Sequence, residues 1–146
     1  MRIFGNMKQQ TENQKEIPIR AGLIPYYYDE NKNVYLNLIQ THRGTIEFSK
    51  GHIDWTEDEK QCALREAYEE LGYKYKSEHK IRTACICNKI QFFMVEVTKQ
   101  EVNAWKRPTW KQEIQNTVWL NIGDVTEKLI DWQREAFGRF LLKINV

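Results

Sequence analysis

The sequence predicts an α/β (α+β) fold, a mixed sheet with helices packed on its faces. Three observations carry this expectation. Strand-like apolar runs fall in two groups, a capped amphipathic helix stands between the groups, and a further helical segment follows the last strand. The 146 residues make one ordinary domain, able to bury roughly 68–70% of its unfolded surface. With 41% hydrophobic and 29% charged residues, a packed core needs neither a disulfide nor a structural metal.

Residues 1–16 are rich in Gln, Asn and Lys and read as a polar N-terminal arm; residues 17–146 read as the folded domain. Arg20 to Tyr28 (RAGLIPYYY) and Val34 to Gln40 (VYLNLIQ) are strand-like, and the polar turn from Asp29 to Asn33 predicts a hairpin. Tyr26, Tyr27 and Tyr28 alternate across that strand, so at least one faces the core. A turn at Arg43-Gly44-Thr45 and a run from Ile46 to Ser49 lead to Gly51. A helix is predicted over Glu57 to Leu71. Thr56 and Glu59 fit a capping box, Ala63, Leu64, Ala67, Tyr68 and Leu71 form the apolar stripe, and Gly72 offers the left-handed residue that ends it. Strands are expected at Ile81 to Cys87, Ile90 to Val97 and Thr117 to Asn121, with Lys99 to Gln112 as a loop. From about Thr126 to Ile144 the chain reads as helical, with Trp132, Ala136, Phe137, Phe140 and Leu141 on the apolar face.

Composition removes several functional classes. The net charge is +2 and the basic residues are scattered, so charge alone predicts no nucleic-acid surface. Three cysteines are no disulfide framework, and Cys85-x-Cys87 lacks the second pair a zinc site needs. All three read as buried thiols. No stretch is apolar enough to span a bilayer and residues 1–15 have no apolar signal core. The expectation is a cytoplasmic protein without a membrane partner.

Chemistry enters on one face of the first predicted helix. Glu66, Glu69 and Glu70 stand at i, i+3 and i+4, which brings their Cβ atoms roughly 5–6 Å apart. Like charges so spaced repel, and Arg65 is the one adjacent counter-charge. A solvated acidic face is one reading. The other is a seat for Mg²⁺ or Mn²⁺, hard cations that prefer carboxylate oxygen.

From Gly51 the chain runs five residues to Glu57, seven more, and then Arg65-Glu66-Ala67-Tyr68-Glu69-Glu70-Leu71-Gly72-Tyr73. This resembles the box of the Nudix hydrolases. The resemblance implies an α/β/α sandwich and a metal-dependent pyrophosphohydrolase with Mg²⁺ or Mn²⁺ as cofactor. It implies metal binding by Glu66, Glu69, Glu70 and the Gly51 carbonyl, and structural support of the site by Glu57 and Arg65. Glu69, Glu70 or a distal acid would act in catalysis. Glu113, six residues before Trp119, is the distal candidate, with a solvated loop glutamate as the other reading.

Lys50-Gly51-His52 is similar to the start of the box in asymmetric diadenosine tetraphosphate hydrolases, and close to that of RNA 5′-pyrophosphohydrolases and decapping enzymes. Phe48-Ser49 and Trp55-Thr56 depart from their usual proline and Pro-Gly, which predicts a differently shaped loop before the helix. The stretch Trp105 to Lys111 mixes aromatic and basic residues. Trp105 and Trp110 would stack on a base while Lys106, Arg107 and Lys50 hold phosphates, or a Trp folds back onto the core and the charges are solvated. The expected substrate is a nucleoside polyphosphate, a dinucleoside tetraphosphate first and an RNA 5′ end second. The rival from another class is a non-catalytic nucleotide sensor, which would typically have lost box glutamates.

Overall fold

The computed structural model describes residues 17–145; the arm expected over residues 1–16 lies outside the described residues. Strands β1 (Arg20–Tyr28), β2 (Val34–Thr41), β3 (Ile46–Glu47) and β4 (Ser49–His52) precede helix α1 (Glu59–Leu71). Then come β5 (Arg82–Cys87), β6 (Ile90–Glu96), a short α2 (Lys99–Val102), β7 (Ile114–Asn121), α3 (Ile122–Lys128), a 3₁₀ turn (Asp131–Gln133) and α4 (Arg134–Ile144).

The seven strands form one mixed sheet in the order β3-β2-β1-β6-β5, with β4 on β1 and β7 on β2. The β1–β6 pair is parallel, while β1–β2 and β5–β6 are antiparallel. Alternation along β1 sends Ala21, Leu23 and Tyr27 into a core beneath α1, and Ile24 and Tyr26 into a second core with Phe137 and Phe140 of α4. Tyr26 and Tyr27 are therefore both buried, because the sheet is covered on both faces, and Tyr28 is left exposed at the strand end. Among the described residues no helix is long and apolar enough to cross a membrane.

Several elements differ from expectation for local reasons. Helix α1 starts two residues late, because Asp58 rather than Thr56 is the cap: its side chain accepts from the Gln61 N–H while the Gln61 side chain accepts from the Asp58 N–H. Glu57 is absent from the helix because its carboxylate accepts from the Asp54 N–H and from Arg65. On the stripe, Cys62 takes the inward position and Tyr68 turns outward against Trp110, their ring centroids 6.5 Å apart. The expected 99–112 loop contains α2, capped by Thr98. Strand β7 begins three residues early, since pairing with β2 extends to Thr41 and Ile114. The C-terminal helix is broken near Leu129, which forms a bridge with Ile46, and Trp132 is exposed instead of joining the apolar face.

Candidate active site

Two turns of α1 and the end of β4 build the site. One close approach sets the geometry: a Cβ on Gly51 would stand 2.1 Å from the Glu66 carboxylate. Only glycine lets β4 pass that near. Beyond the helix, Gly72 has φ 78° and ψ 13°, and a Cβ there would meet the backbone of Lys106 and Arg107 at 2.8 Å. The strap from α2 to β7 thus lies directly on the end of α1.

Glu66 and Glu70 are buried although both are carboxylates, and Glu69 is half-buried. Burial is compensated by donors. Glu70 Oε1 accepts from the Ser49 hydroxyl at 2.8 Å and the Lys50 N–H at 3.0 Å. One ammonium reaches all three acids: Lys111 Nζ donates to Glu66 Oε2 and to Glu70 Oε2 at 3.2 Å, and lies 3.4 Å from Glu69 Oε1. Burial pushes the Glu70 carboxyl up; Lys111 opposes that shift and the neighbouring Glu66 adds to it. Burial would lower Lys111, but its hydrogen bond to Glu66 and the charges of Glu70 and Glu66 win, and the amine is held above its ordinary value.

Arg65 grips Glu57 with two nitrogens, Nε at 3.0 Å and Nη2 at 2.7 Å, and reaches the His52 carbonyl at 3.1 Å. Its Nη1 donates to Glu66 Oε1 at 3.0 Å, so the same fork that ties the loop to the helix also orients Glu66. The Arg65 hydrogen bond holds the Glu57 carboxyl at about 2, well below its ordinary 4.5. A group depressed in the folded state stabilises fully above about 4.5, and that contribution is lost as pH falls through about 2. Glu57→Gln is therefore expected to destabilise the protein near neutral pH, with a gap to wild type that narrows below pH 4.5. Urea denaturation of both proteins at pH 7 and pH 3 measures this, and a gap that widens at pH 3 contradicts it.

Glu66 and Glu70 open on a cavity of about 580 Å³ whose wall includes Arg20, Arg43, Lys50, His52 and the acids Glu47, Asp54 and Glu113, while Glu69 lies outside this lining. Glu113 is exposed there, its carbonyl accepting from the His42 N–H at 3.1 Å. Lys50 is paired to Glu47 at 3.1 Å and sits over the Trp132 ring. Trp105, Lys106, Arg107 and Trp110 are not brought to this cavity. Trp105 packs against Tyr73 and Trp119 because the strap must cover the end of α1, and Trp110 lies outside on Tyr68. Cys62, pushed up to about 12 by burial, offers no thiolate nucleophile.

Sequence reading missed the basic wall. Arg20 and His52 are 32 positions apart yet face each other across β1 and β4, and no local pattern announces that register. Lys111 belongs to a stretch whose other aromatic and basic residues do not line the cavity. Among the described residues no three acids, His or Cys gather into a closed ligand set; the carboxylates are spread around the lysine. The donor set nevertheless suits a hard divalent cation. It is all oxygen, the Gly51 gap leaves the carboxylates uncrowded, and the lysine contacts demonstrate that one cation can touch all three.

The family model described as "NUDIX domain" matches residues 19–140. No protein of curated function matches the chain in sequence. Among solved structures, a Caenorhabditis elegans Ap4A hydrolase binary complex is similar at 20% identity and TM-score 0.63, over 86% of this chain and 96% of that one. The NUDIX domain of Shewanella oneidensis NrtR, complexed with ADP ribose, gives 12% identity and TM-score 0.57 over 88% of each chain. The Bacillus subtilis pyrophosphohydrolase BsRppH gives 15% identity and TM-score 0.51, over 72% of this chain and 63% of that one. At these identities the likenesses establish the fold.

Proposed function

This chain belongs to the Nudix family, hydrolases of nucleoside diphosphate derivatives, and from that premise we propose that it hydrolyses a dinucleoside tetraphosphate. The observation that carries the proposal is the convergence of Glu66, Glu69 and Glu70 on one cation at the edge of a cavity with a basic wall. A long, highly charged phosphate chain suits such a wall, whose cations can pair with several phosphate groups.

Glu66, Glu69 and Glu70 would hold Mg²⁺ or Mn²⁺, with the Gly51 carbonyl alongside. A divalent cation there supplies charge neutralisation at the phosphate oxygens and an activated water. The protein's own residues do the rest. Arg65 keeps Glu66 and Glu57 oriented, and Ser49 and the Lys50 N–H fix Glu70. Arg20 and Lys50 face the outer phosphates as cations, and the His52 ring can hydrogen-bond to them. Glu113, Glu69 or Glu70 accepts the proton from water, and Glu113 is the candidate among these that comes from outside α1 while lining the same cavity as Glu70.

A second reading, cleavage at an RNA 5′ end, is favoured by Trp55. This ring is 96% exposed and follows Asp54 of the cavity wall, which presents a face on which a base can stack. One assay separates the two. The protein is incubated with Mg²⁺ or Mn²⁺ and diadenosine polyphosphates, nucleoside triphosphates, nucleotide sugars, diphosphoinositols, or 5′-triphosphorylated and capped RNA. The highest kcat/KM is expected on diadenosine tetraphosphate. A preference for triphosphorylated RNA would install the second reading, and cleavage of none would overturn both.

A further inference from the structure

We propose that Lys111 is a tethered cation which occupies the metal seat and must leave it for the divalent ion to bind. The inference rests on the reading of Glu66, Glu69 and Glu70 as metal ligands.

The contact is built rather than incidental. Lys111 Nζ donates hydrogen bonds to Glu66 and Glu70 and forms an ion pair with Glu69 at 3.4 Å, so one ammonium meets three different carboxylates. Arg65 serves Glu66 and Glu69 only through Nη1, whereas the salt bridge to Glu70 comes from Lys111. The lysine side chain is 18% exposed, so the charge sits mostly out of water. Both flanks of the residue are fixed. On one side the strap lies across Gly72, with Trp105 against Tyr73 and Trp119 and Trp110 against Tyr68. Further back, Glu101 of α2 accepts from buried His79 at 2.6 Å, and His79 meets the Tyr73 hydroxyl at 2.7 Å. On the other side, the Glu113 carbonyl is tied to His42 before β7 starts. A strap held at both ends delivers the lysine to one place.

The consequence is competition. The oxygens that the ammonium uses are those a divalent cation would use, so the two occupancies exclude each other. When the binding-competent state is only a fraction of the population, apparent affinity falls by that fraction. In return the lysine keeps three like charges from repelling in the metal-free protein. Metal-free stability and metal affinity should therefore move in opposite directions when Lys111 is changed. Once displaced, the ammonium faces the same cavity as Lys50 and His52, where it adds to the basic wall.

The test compares wild type with Lys111→Met, which keeps the length and removes the charge. Mn²⁺ uptake is titrated by the electron paramagnetic resonance of the unbound ion. Affinity is expected to rise at least about tenfold in the variant. Thermal unfolding without metal should occur at lower temperature than in wild type, and saturating Mn²⁺ should narrow the gap. Equal or weaker Mn²⁺ binding by the variant overturns the inference alone; absence of Mn²⁺ binding in both proteins overturns the metal-site reading with it. A second measurement uses unaltered protein in case the variant does not fold. Acetylation of amines by an N-hydroxysuccinimide ester, followed by mass spectrometry, is run with and without Mn²⁺, with exposed Lys128 as the reference. Lys111 should react slowly without the ion and faster with it; an unchanged or reduced rate rejects displacement.

Discussion

Replacing Glu70 by Gln is expected to lower turnover by at least about 100-fold while leaving the fold intact, the scale on which catalytic carboxylates contribute. The fold survives because an amide of the same size keeps one acceptor. Its oxygen can still take the Ser49 hydroxyl and Lys50 N–H bonds that Glu70 Oε1 takes now. The damage falls on the other atom. Glu70 Oε2, 3.2 Å from Lys111 Nζ, becomes an NH₂ group, which neither accepts from an ammonium nor coordinates a cation. Circular dichroism and urea denaturation check the fold, and kcat/KM on the best substrate of the panel checks the chemistry. Wild-type-like turnover would remove Glu70 from the site, and an unfolded variant would show its role to be chiefly structural.

How much of this was legible beforehand depended on distance along the chain. The spacing from Gly51 to Tyr73 spans one loop and one helix, where geometry follows from sequence, and it yielded the acids, the Glu57–Arg65 pair and the left-handed Gly72. The start of α1 is ambiguous in the sequence because two capping boxes overlap. Thr56 with Glu59 and Asp58 with Gln61 both fit, and only the capture of Glu57 by Arg65 decides for the second. Residues brought in from afar were illegible for a different reason. Lys111 lies 41 positions from Glu70, and where its side chain goes depends on how Trp105 and the Lys106–Arg107 backbone pack on the end of α1. A basic residue beside aromatics looks the same whether it reaches for a substrate or for three buried glutamates. The difference is tertiary, and so is the basic wall.

Gly51→Ala is expected to cost about 100-fold in activity with a stability loss on the order of 1 kcal/mol, the converse of what a misplaced backbone would do. Gly51 pairs with Ala21 in the β1–β4 ladder and does not have a left-handed φ, so an alanine there meets no backbone strain. What its Cβ meets is the Glu66 carboxylate at 2.1 Å, the far end of a flexible side chain. That side chain can swing aside cheaply. In doing so it leaves Arg65 Nη1 and Lys111, and with them the position from which it faces the cavity. Fold and chemistry are thereby separated by one methyl group. The mechanism also predicts non-additivity. In a Glu66→Ala background the carboxylate is already gone, so adding Gly51→Ala should change Mn²⁺ affinity little, whereas in wild type it should weaken it markedly. Equal effects in the two backgrounds would mean that Gly51 acts through its carbonyl or through β4 itself, and not by making room for Glu66.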